Sequence, residues 1–245
     1  GNRISIMQYQ VKNRTAARVG TTVLTAALIF LFLIFITVPL ISLFTRISPA
    51  DMLTALTSPS ALQALALSAG TALVSTVIVI LFGTPLAYIN ARVRYPGRNI
   101  VDTLTDLPIV LPPTVAGLAL LTAFGANGML GQYFSLFGIK IAFTTVAVVI
   151  AQIFVASPFY IRQARASFEA VDAEYEYASR TLGAGVVTTF FRVTLPLASG
   201  SLMSGIIMTF ARALGEFGAT MMFAGNLPGK TQTMPLAIYG QMQSD

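Results

Sequence analysis

The chain has 245 residues, of which 55% are hydrophobic and 10% charged, with a formal charge of +6 and a mean hydropathy of +0.77. A soluble domain carries about 25% charged residues, so a surface this poor in charge must face lipid. There is no Cys, His or Trp, which removes disulfides, thiolate nucleophiles and the commonest general base and metal ligand. The acidic residues form no metal-binding cluster in sequence, so no catalytic residue, metal or cofactor is assigned to this chain. The cations flank apolar segments instead of forming one basic face, which fits membrane topology and gives no sign of nucleic acid.

A transmembrane helix needs roughly 20 mostly apolar residues. The first such run, 19–44, follows Arg3, Lys12, Arg14 and Arg18. It is far longer than a signal-peptide core and no A-x-A site follows it, so it is expected as a retained span. The second, 62–91, exceeds the hydrocarbon thickness and should tilt or bend, with Gly83 and Pro85 at the bend. The third, 104–124, is interrupted by Pro108, Pro112 and Pro113. The fourth covers 142–160 and the fifth 197–224. The whole chain, 1–245, is expected to form one transmembrane domain, an all-α polytopic bundle of five spans.

Orientation follows from the cations. Arg3, Lys12, Arg14 and Arg18 precede span one; Arg92, Arg94 and Arg98 follow span two; Arg162, Arg165, Arg180 and Arg192 follow span four. The alternate loops hold only Arg46, Lys140 and Lys230. The positive-inside rule then places the N-terminus in the cytoplasm.

The cytoplasmic loop 161–196 predicts a short helix of its own. Asp172 is the N-cap, and Glu174 and Glu176 lie in the electropositive first turn. Arg180 lies in the last turn and Gly183 takes the C′ position. Glu176 and Arg180 stand four apart, as an ion pair requires. Tyr175, Ala178, Ser179 and Leu182 share one face. That face suits either docking into a groove on another protein or packing against the chain's own membrane domain.

Ala178-Ser179, then Gly183, then nine residues to Val193-Thr194-Leu195-Pro196 resembles the EAA signature of prokaryotic ABC importer permeases. Tyr177 stands where that signature has Glu, with Glu176 one position earlier. The stretches DLPIVLPPTVAG (106–117), ASPFYIRQARASFEAVD (156–172) and ARALGEFGATMMFAGNLPGKTQT (211–233) resemble the molybdate/tungstate branch, and sulfate/thiosulfate permeases share a similar GEFGA element. The resemblance implies a coupling helix, with Asp172, Glu174, Tyr175, Glu176, Ala178, Ser179, Arg180, Leu182 and Gly183 as its ATPase-coupling residues. It further implies a homodimer in the prokaryotic inner membrane, two cytoplasmic ATPases carrying ATP and Mg, an extracytoplasmic oxyanion-binding protein, and a sixth helix after Asp245. The chain itself has no GxxxxGK[ST] phosphate loop.

Ionisable residues within spans are functional candidates. Arg212 and Glu216 stand four apart on span five, as either a structural salt bridge or a substrate contact. Pro112-Pro113 either kinks span three or breaks it, leaving a helix start at Thr114 of the kind transporters turn toward anions. These five residues are the expected translocation pathway, and 125–141 and 226–233 are the expected outer contacts. The rival functions are a sulfate/thiosulfate permease, a secondary transporter or channel working alone, and an intramembrane acyl- or prenyltransferase. The lack of His and of an Asp-rich motif weighs against the last.

Overall fold

The computed structural model of the chain describes the backbone of residues 2–45 and 48–244, and side-chain environments within 20–45 and 48–243. The side chains of Arg3, Lys12, Arg14 and Arg18, together with Arg46 and Asp245, lie outside the described residues. Among the described residues every regular element is helical. The chain divides into two compact units, Gly1–Thr57 and Ser58–Asp245.

The first unit holds α1 (Asn2–Thr45) and α2 (Pro49–Leu56). Within α1, Gly20–Thr45 is long and apolar enough to cross a membrane, and all its described side chains are exposed within this chain. A turn starts α2: Ser48 Oγ accepts from the Asp51 N–H at 3.1 Å and donates to its carboxylate at 2.7 Å. Pro49 sits at the first helical position, where its missing N–H costs nothing.

In the second unit, α3 (Pro59–Arg92), α7 (Thr145–Ala170) and α10 (Leu195–Leu214) are the long helices, and α7 packs against both others. Small residues let them approach. Buried Ala64, Ser68, Ala72, Ser75, Val79, Gly83 and Ala87 form a stripe on α3, and Ala147, Ala151, Ala156 and Ala164 are buried along α7. Without a hydrophobic force between helices in lipid, such close backbones and interhelical hydrogen bonds supply the association. Gln152 of α7, 1% exposed, accepts from Ser75 Oγ at 2.9 Å and donates to Thr71 Oγ1 at 3.1 Å. Tyr160 fills the space left by Gly83 and Gly205, and its hydroxyl lies 2.6 Å from that of Thr84.

The expected third span is not one straight helix. α4 (Arg98–Val110) and α5 (Pro113–Phe124) meet at 115°. Leu111 and Pro112 are extended, as residues preceding a proline prefer, and the proline doublet cannot continue the α4 hydrogen-bond ladder. The doublet therefore breaks the chain direction instead of kinking it. Counting this pair as one, the unit carries four of the expected five spans. α6 (Gly131–Leu136) follows on the loop to α7.

The fifth span is also corrected. α10 ends at Leu214, not 224: the helix stops at Gly215, and a separate helix, α11 (Gly218–Ala224), begins after Phe217, with the Glu216 carboxylate accepting from its Ala219 N–H. Span four, expected at 142–160, continues as α7 to Ala170, so Arg162 and Arg165 lie on helix instead of loop. Between α7 and α10 come α8 (Ala173–Thr181), α9 (Val186–Thr189) and a π-helical turn over Phe190–Thr194. α12 (Met234–Ser244) closes the described chain, its first N–H donating to Ser68 Oγ of α3 at 2.7 Å.

Candidate functional site

Local sequence builds α8 from cap to cap. The Asp172 carboxylate accepts from the Glu174 N–H at 3.0 Å, satisfying a donor that the helix start leaves free. At the other end the Ala184 N–H donates to Ser179 O at 3.1 Å and the Gly183 N–H to Arg180 O at 2.9 Å, the paired bonds of a Schellman motif. Gly183 has φ +89°, a conformation that costs other residues about 1–2 kcal/mol.

The expected Glu176–Arg180 pair does not form. Glu176 points inward, its side chain 6% exposed, and Arg92 of α3 is its ion-pair partner. Its Oε1 accepts from Arg92 Nε at 3.0 Å and from Thr194 Oγ1 at 2.9 Å. Its Oε2 accepts from Tyr88 Oη at 3.1 Å. Arg92 Nη2 also donates to the carbonyl of Val171 at 2.8 Å, at the C-cap of α7. Around this charge cluster Tyr88, Phe168 and Phe190 pack at ring-centroid distances of 4.9–5.8 Å. A buried carboxylate is tolerable here because each oxygen has a donor and the charge has a cation.

The expected outward face is reduced by one member. Ser179 is half-buried, with its hydroxyl 3.0 Å from that of Thr189, so it ties α8 to α9. Tyr175 and Leu182 are 59% and 88% exposed, and Ala178 is exposed between them. Glu174, Arg180 and Tyr177 are exposed too. The result is an apolar step with a charged rim on a helix held from beneath by hydrogen bonds.

A second polar cluster was not read from the sequence. Arg165 Nη1 lies 2.7 Å from Asp102, and Arg162 Nε donates to Asp106 at 2.6 Å. Asn90 bridges Asp102 at 2.9 Å and Tyr95 at 2.6 Å. The arginine bonds fix the polar side of α4 to α7, Asn90 ties it to α3, and Ile100, Leu104 and Val110 are left exposed. The signal available was the i, i+4 spacing of Asp102 and Asp106, matched by arginines three apart on α7.

The expected pathway residues converge on the start of α11. Arg212 Nη1 lies 2.7 Å from Glu216 Oε2, outside hydrogen-bonding alignment, with the two side chains 27% and 1% exposed. Glu216 Oε1 accepts from the Ala219 N–H at 2.8 Å. From the other side, Pro113 and Thr114 at the start of α5 abut Gly218, where an added Cβ would come within 2.8 Å of Pro113 Cβ. Gly117 likewise leaves no room for a Cβ, which would lie 2.6 Å from the Ala219 carbonyl oxygen. Pro112, Pro113 and Thr114 remain exposed. Beyond α11 the 225–233 turn is held by its own side chains: Thr231 Oγ1 donates to Gly225 O and accepts from the Leu227 N–H, and Asn226 reaches Leu236 O.

Comparison with known proteins gives a consistent picture. Residues 79–245 match the family described as binding-protein-dependent transport system inner membrane component. The molybdenum transport system permease protein ModB of Mycobacterium tuberculosis is 44% identical over 213 residues, which cover 87% of this chain and 81% of that protein. The probable transport system permease protein NifC of Clostridium pasteurianum is 42% identical, over 89% of this chain and 76% of its own. The sulfate transport system permease protein CysT of Escherichia coli is 35% identical, over 96% and 86%. A bacterial ABC transporter involved in alginate import shares the fold, with a TM-score of 0.67 at 17% identity over 88% of this chain and 82% of that one.

Proposed function

The chain belongs to the binding-protein-dependent transport system inner membrane components and is a multi-pass permease subunit, and from that premise we propose that it carries molybdate and tungstate across the cell membrane. The observation that carries the substrate is the 44% identity to molybdenum permeases over 87% of the chain. A partner ATPase, holding ATP and Mg, docks on the Tyr175, Ala178 and Leu182 face of α8. An extracytoplasmic binding protein delivers the oxyanion to the 125–141 and 226–233 side. Two copies of the chain form the pore, with the N-terminus and α8 in the cytoplasm, which the clustering of arginines after α3 and around α8 supports. ATP binding draws the two α8 helices together, and the membrane halves switch the side on which they are open. Pro112, Pro113, Thr114, Arg212 and Glu216, gathered at the start of α11, line the route.

A second reading, sulfate import, is supported by the CysT similarity. Both ions are tetrahedral dianions, so a transport experiment must separate them. Proteoliposomes holding the permease, its ATPase and its binding protein are expected to accumulate radiolabelled molybdate only with ATP. An equal concentration of tungstate should compete and an excess of sulfate should not. Competition in the reverse order would assign the chain to sulfate, and accumulation without ATP would make it a secondary transporter.

A further inference from the structure

We propose that Glu176 is the positioning residue that makes the docking helix and the membrane spans move as one body. The proposal rests on the permease reading above and adds a residue to it. One carboxylate, 6% exposed, joins α8 to three of the elements that meet at this end of the bundle. Through Arg92 and Tyr88 it holds the last turns of α3. Through Arg92 Nη2 and the Val171 carbonyl it reaches the end of α7. Through Thr194 it holds the turn that opens α10. The π-helical turn is part of the device. Its extra residue, with the Leu195 N–H donating to Phe190 O, rotates the register so that Thr194 is fully buried against α8. A residue inserted into a helix shifts the facing side chains in this way, and such turns recur at functional sites.

Glu176 faces away from the exposed Tyr175, Ala178 and Leu182. Its loss should therefore leave the docking face present and cut the connection behind it. The ATPase would bind and hydrolyse, but motion of α8 would be taken up by the 171–172 and 182–185 links instead of reaching α3 and α10.

The test compares the wild-type permease with E176Q, R92Q/E176Q and T194V, each assembled with its ATPase and binding protein in proteoliposomes. The quantity read is ATP hydrolysed per molybdate imported, alongside the ATPase retained on purification. For R92Q/E176Q the retained ATPase is expected to match wild type while the ATP cost per ion rises about tenfold, an ordinary coupling between sites; E176Q should raise the ratio as well, with the added destabilisation of an unpaired Arg92 cation. T194V, which keeps both charges, should shift the ratio in the same direction by less. The double variant removes the uncompensated Arg92 cation, so it separates coupling from folding. A wild-type ratio in R92Q/E176Q would overturn the proposal, as would hydrolysis and import falling together with loss of the ATPase. If the wild-type assembly itself shows no substrate-dependent hydrolysis, the permease reading fails before this one is reached.

Discussion

Replacing Ala178 by glutamate is expected to strip the permease of its ATPase while leaving the membrane bundle intact. Ala178 is exposed between Tyr175 and Leu182, and none of the bonds that hold α8 in place passes through its side chain. A docked partner would bury a new carboxylate with no cation opposite it. Leaving one charge buried and unpaired at an interface costs about 2–5 kcal/mol, and about 1.4 kcal/mol is tenfold in affinity. Retention of the ATPase and ATP-driven import should both fall by at least about one to two orders of magnitude. Thr188→Glu is the control, because Thr188 is exposed further along the same segment and outside the Tyr175, Ala178 and Leu182 face. An Ala178→Glu protein that purifies with its ATPase and imports at the normal rate would contradict the docking assignment.

Arg212→Met is expected to have the next largest effect. It leaves Glu216, 1% exposed, as a buried carboxylate without its cation, which costs about 3–5 kcal/mol. Adding Glu216→Gln should recover most of that loss, because glutamine keeps an oxygen for the Ala219 N–H. Thermal unfolding in detergent reads the stability of both proteins. Import then separates the two roles of the pair: a stable double variant that does not transport places these residues on the route, and one that transports normally makes them a structural bridge.

What the sequence made legible was local. Asp172 and Gly183 mark both ends of α8 because caps are written within a few residues of the helix they close. Pro112-Pro113 marked the end of α4 for the same reason. The 115° angle was not legible, because it depends on α5 packing against α11 at Gly117 and Gly218, a hundred residues apart in the chain. Glu176 shows the limit most clearly. Spacing offered Arg180, four residues on, but the fold supplied Arg92, Tyr88 and Thr194, at separations of 84, 88 and 18 residues. The buried tertiary partners won because they satisfy the carboxylate away from water, where an exposed i, i+4 pair is worth only about 0.2–0.5 kcal/mol. Hydropathy misplaced two helix ends for a different reason. It reports contact with lipid, so it ran through the break after Leu214 into the apolar α11 and stopped short of the polar last turns of α7.

The central claim is that force from an ATPase enters this chain at α8. The chain has no Cys, so a single Leu182→Cys substitution, at a side chain 88% exposed, can carry a thiol-reactive photocrosslinker without background. Irradiating the assembled, transport-active complex is expected to join the permease to the ATPase subunit, with the yield changing when ATP is added. Crosslinks confined to lipid or to the permease itself, in a complex that still transports, would contradict the account.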